Sequence, residues 1–287
     1  MEKFSSFSDR IFGIVNGFLL LTFTAITAWP LIWVVSSSVS DPHAQLRGEV
    51  RLLPVGFQFA AYRIVFNHPE IWNAYRNTII YTTLGIIVSV MLSALYAYPL
   101  SRRHFFCKKF FTTVLVFTML FSGGMIPTFL LVSNLGLLDT IWAIVLPGSV
   151  SVFNVIVMRT FFITTIPDEL EESAFLDGSN DLQFFWSVVL PLSKAIVAVM
   201  VLFYGVMHWN SWFNAFLYTS TRAMFPLQLV LREIVLQGVQ AAHGDGDILH
   251  QGIRFATMVV ATIPIMCLYP FIQKYFTTGI MVGSVKG

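Results

Sequence analysis

The sequence predicts an all-α integral membrane protein with six transmembrane helices. Three observations predict it. Of 287 residues, 56% are hydrophobic and only 11% charged, where a soluble domain carries about 25% charged residues. Six apolar windows approach or exceed the ~20 residues that a helix needs to cross the hydrocarbon core. None of the 15 acidic residues lies well inside any of these windows.

In chain order the windows are Phe12–Val35, Asn77–Leu100, Phe110–Val132, Ile141–Phe162, Val189–Phe213 and Phe255–Phe271. The first is longer than the ~7–15 residues of a signal-peptide core, so it reads as a span. Pro30, Pro127, Pro147 and Pro264 fall inside windows, which membrane helices tolerate because neighbours satisfy the freed backbone groups. Gly85, Ser89, Ser93 and Ala97 recur every fourth residue of the second window. That stripe lets helix backbones approach closely, and ordinary packing within the bundle is sufficient to explain it.

Orientation follows from the short loops. The 101–109 segment SRRHFFCKK holds four Lys or Arg and no acid, which places it in the cytoplasm; the 133–139 loop SNLGLLD has no basic residue and falls outside. Six spans then put both termini in the cytoplasm, in agreement with Lys3, Arg10, Lys274 and Lys286. Arg47, Arg51, Arg63 and Arg76 in the longer 40–76 loop run against the rule, which long loops obey less strictly. On this topology the 164–188 loop is cytoplasmic.

Several function classes are disfavoured. An ion-coupled secondary carrier, the main alternative, usually needs ionisable groups along its pathway, and His208 is the only one deep in a span besides Cys267. A lone His there reads as hydrogen-bonded within the bundle. No GxxxxGK[ST], HExxH or GxSxG occurs, so the chain is read as neither an ATPase nor an enzyme. GDGD at 244–247 reads as a flexible turn, not a metal site. Cys107 and Cys267 read as unpaired thiols, and no cofactor or metal is expected on this chain. A net charge of +2 without a basic tract argues against nucleic acid.

The densest acidic run begins TTIPDELEESAFLDG. Thr165 reads as an N-cap, Pro167 as a first-turn residue, and Asp168 and Glu169 oppose the positive end of the helix dipole. Gly178 reads as the stop. The expected product is a helix of about three turns over 168–178, with Leu170, Ala174 and Asp177 on related positions and Glu171 and Glu172 angled away. Two readings stay open: a solvated connector, or a docking element. Ser173 and Ala174 would let another surface come close, and the flanking acids Glu171, Glu172 and Asp177 could pair with a partner's cations.

Two outer segments carry further candidates. In HWNSWFNAFLY, Trp209 with Trp212 and Asn210 with Asn214 have helix-face spacing. They form either sugar-stacking and hydroxyl-binding contacts on a substrate pathway or an interfacial aromatic belt. The FPLQLVLREIVLQGV stretch is an amphipathic helix with Arg232 and Glu233 on its polar side, either a landing surface for a binding protein or a cover over the bundle.

Glu172-Ser173-Ala174, three residues, Gly178, nine residues, then Val188-Val189-Leu190-Pro191 resembles the EAA motif of bacterial ABC importer permeases, with Ser173 in place of Ala and Val188 in place of Ile. The tail YFTTGIMVGSVKG and the stretch FSGGMIPTFLLVSNLGLLDTIWAIVLPG are similar to the carbohydrate-importer subclass, on the side of the maltose system's second permease. The likeness runs from about Trp72 to Gly287. It implies the MetI-like type I importer fold, with an N-terminal helix and external loop over 1–71 and a permease core over 72–287. It also implies a coupling helix at 168–178 seated on a nucleotide-binding subunit, with Glu172 in polar contact, Gly178 permitting the turn, and Lys286 in a tail that reaches the ATPase pair. The implied partners are a second permease subunit, two ATP-binding subunits holding ATP and Mg, an extracytoplasmic sugar-binding protein and an oligosaccharide, all at the bacterial inner membrane. Within that subclass the external arginines suit an acidic oligouronide, such as one derived from alginate or pectin.

Overall fold

The computed structural model describes residues 7–241 and 252–267. Among them the regular structure is entirely helical. Helices α1 (Phe7–Ser38) and α4 (Ile71–Ser101) are long and apolar enough to cross a membrane unbroken. Between them lie the short α2 (Pro42–Leu46) and α3 (Ala60–Asn67).

The next expected spans are broken. Phe110–Val132 is not one helix but α5 (Lys108–Leu120) and α6 (Met125–Asn134), meeting at 116°. Residues 121–124, Phe-Ser-Gly-Gly, interrupt the ladder, and Gly124 at φ +87° turns the chain where a side chain would be strained. The Ile141–Phe162 window divides into α7 (Ile141–Val145) and α8 (Val152–Thr165) around Pro147 and Gly148. Proline removes a donor, and Gly148 takes φ +80°.

Helix α9 (Asp168–Leu176) follows, then α10 (Asp181–Phe184), a π-helical turn over Phe185–Val189 and the short α11 (Leu190–Leu192). Pro191 has no N–H to donate, and the ladder just before it runs in the wider π register. At Ser193 the chain bends by 83° into α12 (Lys194–Trp209). The Val189–Phe213 window is thus bent near its start and ends early. Helix α13 (Phe213–Tyr218) is a separate piece, followed by α14 (Leu227–Ala241) and α15 (Gly252–Cys267). Residues 268–271 of the sixth window and the GDGD turn lie outside the described residues.

The chain divides into two compact units, 1–71 with 231–263 and 72–230 with 264–287. In the first, the serines at the end of α1 satisfy loop backbone. Ser36 Oγ donates to the Leu52 carbonyl at 2.6 Å, Ser40 Oγ accepts from Val55 N–H at 3.1 Å, and Trp33 Nε1 donates to the Val50 carbonyl at 3.1 Å. In the second, Asn73, Asn77 and Tyr81 share a face of α4 and donate to the carbonyls of Ala223, Phe225 and Met224. The apolar core of this unit joins α4, α8, the α10 region and α12 through Ala97, Met158, Phe162, Phe184, Phe185 and Met200. The small-residue stripe of α4 packs within the bundle, as expected. Ser89 Oγ lies 2.9 Å from His208 Nε2, and Ser93 Oγ lies 2.5 Å from Tyr204 Oη.

Candidate functional site

The acidic loop forms the helix that its capping residues dictate, with one shift. Pro167 is the N-cap, whereas Thr165 ends α8. Proline's fixed φ and missing N–H suit a helix entrance, and the chain must first turn out of α8. At the other end Gly178 N–H donates to the Phe175 carbonyl and Ser179 N–H to the Ala174 carbonyl, both at 3.0 Å. This is a Schellman stop, and it requires the left-handed φ of +84° at Gly178.

The two faces of α9 differ. Leu170 and Ala174 pack against the buried cluster containing Phe162, Ile166 and Phe184. Outward stand Glu169, Glu172, Ser173, Phe175, Asp177 and Leu176, the last 89% exposed. Leu182 and Trp186 are exposed just beyond. The outward face is thus an apolar tip, Phe175 and Leu176, rimmed by Glu169, Glu172 and Asp177.

Glu171 departs from the expected geometry. It does not angle away with Glu172; it is 8% exposed, and its Oε2 lies 3.2 Å from Nη1 of Arg102, itself 4% exposed. Arg102 Nε donates to Ser101 Oγ at 3.0 Å and Nη2 to the Phe162 carbonyl at 3.4 Å. A buried carboxylate without such a partner is costly, so the ion pair sets which way this face of α9 turns. One turn earlier, Asp168 Oδ2 meets the exposed Arg103 at 2.6 Å. Sequence reasoning used Arg102 only as a topology signal. Of the remaining motif residues, Leu190 is half-buried and Pro191 exposed in α11. Lys286 lies outside the described residues.

The aromatic-amide cluster is not brought onto common helix faces. Helix α12 ends at Trp209, so Trp209 with Trp212 and Asn210 with Asn214 belong to different segments. Asn210 Nδ2 donates back to the Val206 carbonyl at 2.8 Å and ends the helix. Asn214 Nδ2 donates to the carbonyls of Ile144 and Pro147 at 3.2 and 3.1 Å and fastens α13 to the end of α7. Both amides donate to backbone carbonyls at or near helix ends.

Comparison with known proteins fits this arrangement. The chain is 43% identical over 97% of its length to the polygalacturonan/rhamnogalacturonan transport system permease protein YtcP of Bacillus subtilis, covering 99% of that protein. The chain belongs to the ABC carbohydrate importer permeases. This permease is also 40% identical to protein LplC of the same organism, over 98% of its own length and 96% of that protein. Among solved structures it matches a chain of a bacterial ABC transporter that imports the acidic polysaccharide alginate, with a TM-score of 0.83 and 36% identity, covering 96% of the permease and all of that chain. Protein-family models give no match. As a member of this family the permease is a multi-pass translocation component of the bacterial cytoplasmic membrane, and it carries no catalytic step of its own.

Proposed function

We propose that this permease imports an acidic oligosaccharide of the oligouronide class, and that α9 is the helix through which a partner ATPase drives it. In this reading it pairs with a second permease subunit, two ATP-binding subunits that hold ATP and Mg, and an extracytoplasmic sugar-binding protein. Residues 72–287 form the translocating core, both termini lie in the cytoplasm, and the tail near Lys286 adds a second contact with the ATPase pair.

The observation that carries the reading is the exposed tip of α9. Its inner face is seated on the core while Glu172, Leu176 and Asp177 project from it, and Gly178 ends it cleanly. Closure of a partner dimer would displace this helix and shift the spans between inward- and outward-open states. The substrate class is supported by relatives named for polygalacturonan, rhamnogalacturonan and alginate, all polymers that contain uronic acid.

The test is ATP hydrolysis by the reconstituted complex, stimulated by loaded binding protein. Glu172→Lys reverses the charge on the projecting face, and Gly178→Val places a β-branched residue in the left-handed region. Both variants should fold and lose at least about fivefold of the stimulated rate, the lower end of a typical coupling free energy. Wild-type stimulation and uptake in both would remove α9 from the coupling path.

A further inference from the structure

Helix α9 is covalently continuous with α8, yet its strongest polar attachment is to α4. Ser101 is the last residue of α4, and Arg102 follows it directly. The Arg102 guanidinium is committed on three sides, to Glu171, Ser101 and the Phe162 carbonyl, and its carbon sits 5.7 Å from the centre of the Tyr98 ring. Lys108 Nζ donates to the Arg102 carbonyl at 3.0 Å, and Arg159 Nε donates to the Leu100 carbonyl at 2.8 Å. The end of α4 is therefore held from several directions.

Beside the pair the packing opens. A cavity of about 550 Å³ is lined by Tyr98, Arg102, Glu171, Phe175, Asp181 and Phe185, among others. Toward α4, Glu171 and Phe175 of α9 border this space, while Leu170 and Ala174 sit on the core cluster that includes Ala97, Tyr98 and Leu100 of α4. The direct polar ties of α9 to the end of α4 are then one buried ion pair and the exposed Arg103–Asp168 pair. Arg103 has 80% of its side chain exposed, so solvent screens the outer pair and it holds α9 only weakly. A buried ion pair is a poor way to gain stability, because desolvation offsets the attraction. It is well suited to fixing register between two elements that must move together.

We propose that Arg102 is a positioning residue for transport: through Glu171 it locks α9 to the end of the membrane-crossing α4, so that displacement of α9 is passed to α4 as well as to α8. The inference rests on the reading of α9 as the coupling helix. The mechanical consequence is specific. Without the pair, α9 still docks on its ATPase and hydrolysis still responds, but α4 no longer follows.

The experiment measures sugar uptake per ATP hydrolysed in proteoliposomes holding the whole complex. The variants are Arg102→Gln, Glu171→Gln, the exchange Arg102→Glu with Glu171→Arg, and Arg103→Gln as the exposed control. Each single change at Arg102 or Glu171 should leave hydrolysis running while uptake per ATP falls by at least about fivefold. The exchange should recover most of the loss, and Arg103→Gln should keep the wild-type ratio. A merely structural role would lower uptake and hydrolysis together and leave the ratio unmoved, which overturns the proposal. Where the single variants fail to assemble, the exchange decides: assembly with a wild-type ratio supports the joint, and assembly with an uncoupled ratio overturns it. Glu172→Lys in the same assay separates the two readings. If its stimulated hydrolysis falls while the Arg102 variants keep the wild-type ratio, α9 remains the coupling helix and the joint is wrong; if its hydrolysis and uptake are both normal, the coupling-helix reading has itself failed.

Discussion

Arg102 and Arg103 are neighbours in the segment SRRHFFCKK, and nothing local distinguishes them. One is 4% exposed and the other keeps most of its side chain in solvent. Their difference comes from α9 arriving over one of them, a contact between residues 69 positions apart. Gly178 was readable for the opposite reason. A helix stop with φ near +84° is a local demand that glycine meets at no steric cost. Asp139 shows a similar local logic away from this site. It takes a positive φ of 56°, and its Oδ1 accepts from Ser220 N–H at 2.7 Å and Thr221 N–H at 2.9 Å. The Thr221 and Ser220 bonds hold its carboxyl below the usual carboxylate range. A depressed folded-state value means that the stabilisation is complete above the unfolded value of about 3.9 and is lost as pH falls through the lower folded value. The difference in melting temperature between wild type and Asp139→Asn should thus be largest near neutral pH and shrink under acid. A pH-independent difference would show that the carboxylate charge plays no part in this clasp.

Among the elements, α4 and α12 meet where Gly85 faces the His208 ring. A Cβ placed on Gly85 would lie 2.5 Å from Cγ of the His208 ring, a contact that no side chain tolerates without movement. The ring is itself held by Ser89, so it cannot simply swing aside. Gly85→Ala should cost about 1–3 kcal/mol by overpacking, read as a lowered melting temperature in detergent. The same change made on a His208→Ala background should cost markedly less, because the obstructing ring is gone; equal costs in the two backgrounds would refute the contact. The small-residue stripe made this packing legible from spacing alone. The broken spans were less legible. A hydropathy window averages over Phe-Ser-Gly-Gly and Pro147-Gly148 without registering the turn, since the apolar content on either side is unaffected. The same averaging hid the end of α12. Trp209 and Trp212 have the spacing of one helix face, yet the side chain of Asn210 closes the helix between them.

For the molecule as a whole, the substrate class is the property most open to direct measurement. Proteoliposomes of the complete transporter should take up oligogalacturonate or oligoalginate at least about tenfold faster than a neutral oligosaccharide of equal length, a discrimination of about 1.4 kcal/mol. Equal rates would remove the acidic preference and leave a general oligosaccharide importer. This outcome bears on specificity alone and leaves the coupling experiments untouched.

Composition, apolar windows and the absence of acids within them were enough to establish an all-helical membrane protein, because lipid admits so few ways of satisfying a backbone. The capping signals of α9 and its motif spacing were likewise determined locally, by hydrogen bonds that span at most a few residues. Tertiary structure alone decided which acid of that helix faces outward. Glu171 and Glu172 are adjacent and chemically identical, and only the arrival of Arg102 from the end of α4 buries one and leaves the other exposed. Burial of a charge depends on a partner brought from elsewhere in the chain, and no local pattern encodes that meeting.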